Sequence, residues 1–143
     1  MLIRNLKAYL VLLLLSASAT VGGEERYICV ADNAVGFSYE PRTGKWGEAD
    51  FIVDHKYVIS QAQDGRHEWM VNTVSGVKVV VTCGDGFYRE FLNCDDSLLQ
   101  SHFFRFNKKR MRFISTSISG YHNDAGPSLR ETPNMEIGTC SRF

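Results

Sequence analysis

Residues 102–121 read HFFRFNKKRMRFISTSISGY, two runs of aromatic and β-branched residues on either side of Asn107-Lys108-Lys109-Arg110. The pattern predicts a β-hairpin. With the turn on those four polar residues, Phe106 is expected to face Met111 and Phe104 to face Phe113. Phe104, Phe106, Met111 and Phe113 then share one apolar face. The other face carries Phe103 opposite Ile114 and Arg105 opposite Arg112. Two arginines across a ladder repel, and no acid in the segment offsets them. Phe103, Arg105, Lys108, Lys109, Arg110 and Arg112 are therefore the expected ligand site, an anion-binding patch.

Outward from this hairpin the pattern is almost entirely β. Tyr27 to Val30 reads as a short strand. Val35 to Glu40 and Lys45 to Phe51 flank the turn Pro41-Arg42-Thr43-Gly44, which sets Glu40 opposite Lys45 and Tyr39 opposite Trp46. Tyr57 to Gln61, Glu68 to Val74, Val77 to Cys83 and a weaker Phe87 to Asn93 follow, with turns at Asp64-Gly65 and Ser75-Gly76. Asp95-Asp96-Ser97 has the residues to cap one helical turn over Leu98 to Gln100. After the hairpin come a loop from Tyr121 to Asn134 and a last strand from Met135 to Cys140. Short strands at regular spacing, without helices for parallel crossovers, predict an all-β single domain. The expected architecture is an antiparallel meander closing into a small barrel of about eight strands, or a two-layer sandwich.

Residues 1–19 have the form of a signal peptide. Arg4 and Lys7 precede the apolar run Ala8 to Leu15, and Ala17-Ser18-Ala19 offers a small-residue cleavage site. The apolar run is too short to span a bilayer, so no transmembrane segment is expected. The reading is of an exported chain, periplasmic or secreted, with residues 20–143 as one β domain. All four cysteines fall in that domain, and an even count in an exported chain predicts two disulfides. Of the three pairings, Cys83–Cys94 closes a short loop and Cys29–Cys140 ties the two ends together, and these are favoured. The alternative, zinc, lacks any Cys-x-x-Cys pair.

Sixteen basic residues balance sixteen acidic ones. Loss of Arg4 and Lys7 with the signal leaves a slight acidic excess, which argues against a general nucleic-acid binder. His55 and His67 read as solvent-exposed loop histidines beside Asp54 and Glu68. His102 with His122-Asn123-Asp124 has no metal-ligand spacing. Asp85, Glu90, Asp95 and Asp96 do not alternate as a calcium loop requires. Ser115, Thr116, Ser117 and Ser119 lack a Gly-x-Ser-x-Gly elbow. Gly84-Asp85-Gly86 lacks the lysine and helix of a phosphate loop. No catalytic residue, metal or cofactor is assigned, and the chain reads as a binder, not an enzyme.

The stretches GFSYEPRTGKW (36–46), FRFNKKRMRF (104–113) and TPNMEIGTCS (132–141) resemble an uncharacterised family of small exported proteobacterial proteins. The resemblance implies a bacterial, exported protein and carries no activity, ligand or site residue. The ligand expected from the residues themselves is an anionic envelope polymer or an acidic partner protein, bound by the basic hairpin. Two alternatives stay open. One is a lipocalin-like carrier with a small apolar ligand inside the barrel. The other is a secreted hydrolase inhibitor acting through the Tyr121–Asn134 loop.

Overall fold

The computed structural model describes residues 25–61, 69–75, 80–84, 86–96, 101–121 and 132–143. Ten strands and no helix occur among them. In chain order they are β1 (Tyr27–Glu40), β2 (Lys45–Asp50), β3 (Lys56–Gln61), β4 (Trp69–Thr73) and β5 (Val80–Cys83), then β6 (Phe87–Tyr88), β7 (Phe91–Asp95), β8 (His102–Asn107), β9 (Arg112–Ser117) and β10 (Asn134–Arg142). Hydrogen bonding runs β10-β9-β8-β7-β5-β4-β3-β1, and β1 pairs again with β10. The sheet therefore closes into an eight-stranded antiparallel barrel, with β2 and β6 as additions. Closure gives the eight barrel strands a partner on both sides, which removes their open edges.

Both disulfides form as expected. Cys29–Cys140 joins directly paired residues of β1 and β10 at the closing seam, and Cys83–Cys94 joins β5 to β7. Such bridges belong to an oxidising compartment. The signal-peptide segment lies outside the described residues. No described helix is long and apolar enough to cross a membrane.

β1 is long because it serves two structures. Tyr27–Val30 pairs with β3, Val35–Glu40 pairs with β2, and β10 runs along the other side from Tyr27 to Gly36, so the part beyond Gly36 forms an arm with β2 alone. A bulge between Ala31 and Asn33 separates the two parts, as expected where a strand bends. Gly138, opposite Ala31, is required there. A Cβ at this position would lie 2.1 Å from the Val30 carbonyl oxygen and 2.6 Å from the Phe113 ring. The arm has the predicted register, Glu40 opposite Lys45 and Tyr39 opposite Trp46. Its turn closes with Gly44 N–H donating to the Glu40 carbonyl at 2.9 Å, and Gly44 takes the left-handed φ of 66° that favours glycine.

Two readings of the sequence are corrected. Phe87 to Asn93 is not one strand: Arg89, at a φ of 57°, reverses the chain between β6 and β7. The β8–β9 register is shifted by two residues, with Asn107 opposite Arg112, Phe106 opposite Phe113 and Arg105 opposite Ile114, so the apolar face is kept while the partners change. The cause is local. Asn107 Oδ1 accepts from the backbone N–H of Lys109 at 3.0 Å and of Arg110 at 2.9 Å, so Asn107 ends the strand and organises the turn. Met111, at a φ of 52°, completes that turn. The proposed helical turn over Leu98 to Gln100 lies outside the described residues.

The barrel interior is graded. Toward the β8–β9 turn it is filled by aromatic rings reaching across from different strands: Tyr27 to Phe106 at 4.8 Å, Trp69 to Phe87 at 5.1 Å, and Tyr57 to Phe104 and Phe113 at 5.2 Å each. Phe104 and Phe113 stack at 5.1 Å. Toward the other end the inward positions turn polar. Phe113 is followed inward by Ser115 and Ser117, and Phe106 and Phe104 are followed by His102. On β10, Glu136 is buried beyond Cys140 and Gly138.

Candidate functional site

Two clusters carry chemistry, one at each end of the barrel. At the polar end, Glu136 is 5% exposed. Its carboxylate accepts from the Tyr57 hydroxyl at 2.5 Å and meets His55 Nδ1 at 2.5 Å. Asp54 lies 3.7 Å from His55 Nε2. Burial, then the Glu136 carboxylate, pushes the Tyr57 phenol well above its ordinary value. Ser115 also bonds that hydroxyl. The buried carboxylate is thus held by two partners, as a buried charge requires. The expectation that His55 is merely a solvated loop histidine is corrected: its imidazole is half-buried and bonded to Glu136. Sequence offered no signal, because the pair is 81 positions apart.

At the same end of the barrel, Asp96, Ser101 and His102 form a separate group. Ser101 donates to Asp96 through Oγ and through its backbone N–H, at 2.8 Å each. His102 Nδ1 lies 3.1 Å from Asp96 Oδ2 and 3.0 Å from Ser101 Oγ. Burial raises the Asp96 carboxyl, but the bonds from Ser101 and His102 outweigh it and hold the group below the usual 3.8. The three residue types match a hydrolytic triad; the geometry does not. A triad needs carboxylate and hydroxyl on opposite imidazole nitrogens, whereas here both share Nδ1. The group joins Asp96, just past β7, to Ser101 and His102 at the start of β8. His67, Asp85, His122 and Asp124 lie outside the described residues. Among the described residues no group of three or more His, Cys, Asp or Glu side chains could hold a metal ion.

The opposite end is basic. Three segments converge there: the β8–β9 turn, the β6–β7 turn and the end of β10. Lys108 N–H donates to the Glu90 carbonyl at 2.9 Å, Cys140 N–H to the Met111 carbonyl at 2.9 Å and Phe143 N–H to the Arg26 carbonyl at 3.1 Å. Lys109, Arg110 and Arg112 are exposed at this end, with Arg89 and Arg142 as neighbours. The Lys108 ammonium sits 4.4 Å from the Phe87 ring centroid, and the Arg105 guanidinium 4.4 Å from that of Phe91. Among the described residues, the acidic side chains of this end are those of Glu25 and Glu90. Glu25 accepts a hydrogen bond from Tyr27; burial, then this carboxylate, pushes the Tyr27 phenol up to about 12. The far end and the arm carry the reverse balance, with Asp32, Glu40, Glu48, Asp50, Asp54, Asp95, Asp96 and Glu136 outnumbering Arg42, Lys45 and Lys56. Among the described residues, charge is therefore strongly segregated between the two ends.

Of the six residues expected at the patch, Lys108, Lys109, Arg110 and Arg112 come together. Arg105 shares the outer face of β8 but faces Ile114 and Asn93, not Arg112. Phe103 is exposed on that same face but pairs with Asp95 and Thr116, toward the acidic end. The sequence reading missed Arg89 and Arg142, which reach this end only through the β6–β7 reversal and the seam with β1.

No family model, no curated protein and no solved structure matches the chain.

Proposed function

We propose that this is an exported bacterial binding protein, periplasmic or secreted, that engages an anionic component of the cell envelope through the basic end of its barrel. The supporting observation is the segregation of charge, with exposed Lys109, Arg110 and Arg112 joined by Arg89 and Arg142 at one end. Convergent cations of this kind raise the local concentration of a polyanion and are screened by salt. The aromatic rings that cross the interior favour this surface over an apolar ligand carried inside. Ser101 Oγ and Asp96 share one nitrogen of His102, an arrangement that suits a structural tie better than a hydrolytic one. On a heparin matrix at low salt, the wild type should be retained. The triple change Lys109→Gln, Arg110→Gln and Arg112→Gln should elute much earlier, whereas Lys45→Gln with Lys56→Gln should not. Equal elution of wild type and triple variant would count decisively against this function.

A further inference from the structure

We infer that the anion is met on a lipid surface, so that the basic end docks onto an anionic bilayer. This rests on the proposed function and narrows it to one class of ligand. The observation is that Tyr88 and Phe143 are 72% and 64% exposed and stand among the cations. Arg89 lies over the Tyr88 ring at 5.7 Å, and Phe143 follows Arg142 directly. A soluble polyanion is satisfied by cations alone and gives two exposed rings nothing to pack against. A bilayer surface uses both: cations meet the headgroups, and aromatic rings settle at the headgroup level. The β6–β7 turn and the end of β10 are tied to the rest of this end by the backbone bonds from Lys108 and Phe143, so the rings and cations are presented together. Neither ring belongs to the buried core, so both can be changed without opening it.

The test is co-sedimentation of the full chain with vesicles of phosphatidylcholine alone or with about one-third phosphatidylglycerol, run beside heparin retention. The wild type should bind only the anionic vesicles. Lys109→Gln with Arg110→Gln should weaken that binding by about 25-fold, since each basic residue near an anionic surface contributes roughly fivefold. Tyr88→Ser with Phe143→Ser should also lose about tenfold on vesicles while keeping wild-type heparin retention. That split is the signature of lipid docking. Vesicle binding unchanged in the aromatic variant would overturn the inference. A wild type held by heparin but indifferent to anionic vesicles would overturn it too, while leaving the proposed function standing. Failure on both matrices would remove both.

Discussion

Arg105 owes its role to its partner across the ladder. Facing Arg112, it would be a repulsive residue whose loss costs nothing; over the Phe91 ring, it is a packed cation. Arg105→Gln should therefore destabilise the fold by about 0.5–1 kcal/mol, the usual scale of an exposed cation–π contact. Arg112→Gln should stay within about 0.5 kcal/mol, and urea denaturation of both variants reads the difference. The composition of the hairpin was legible in the sequence, and its register was not. One side-chain acceptor, Asn107 Oδ1, chose between two turns that periodicity cannot separate. The polar end was not legible for another reason: His55, Tyr57 and Glu136 meet only because β3 and β10 both flank β1. Its titration has consequences in acid and in alkali. The folded Asp96 carboxyl lies below its ordinary 3.8, so its stabilisation is present above that pH and is lost as pH falls below it. The folded Tyr57 phenol lies above its ordinary 10.0, so stability is kept below pH 10 and declines as pH rises beyond it. Melting temperatures across both limits should show the two declines. Asp96→Asn should flatten the acid one, and Tyr57→Phe should reduce the alkaline one, leaving the part due to Tyr27, whose phenol is also raised.

Among the elements, turn chemistry separates what could be read from what could not. Pro41 to Gly44 declares its turn by residue type, and the β1–β2 register follows from it. Arg89 and Met111 reverse the chain in left-handed conformations without glycine, so nothing in their identity announced the turns. The cysteines were legible because an even count and one short spacing leave few arrangements. In the loop-closure account of disulfides, the bridge spanning 111 residues contributes more than the bridge spanning 11, about 5 against about 3 kcal/mol. Cys29→Ala with Cys140→Ala should accordingly lower the urea midpoint more than Cys83→Ala with Cys94→Ala. The first bridge also pins β1 to β10 at the closing seam, so its loss should be felt across the barrel. Equal midpoints would mean that the seam holds without its staple.

At the scale of the molecule, closure and charge are two sides of one arrangement. Eight strands closed through β1 and β10 leave an interior that aromatic rings fill from one end, and that same end gathers the cations outside. The antiparallel all-β architecture followed from strand spacing and the absence of helical stretches, which left a barrel and a two-layer sandwich both open; the β1–β10 pairing decides for the barrel. The segregation of charge did not follow from the sequence, since a chain with equal numbers of acids and bases gives no hint of how they are distributed. The central claim is that the basic end is the binding surface and the interior is not. The most direct measurement is a two-dimensional amide NMR titration of the full domain with a sulfated oligosaccharide at low salt. Shifts should concentrate at residues 87–91, 107–112 and 140–143, leave Ile59, Val71 and Leu92 unmoved, and diminish as salt rises. Shifts centred instead on the interior, on the polar end around Glu136 or on the arm would contradict it.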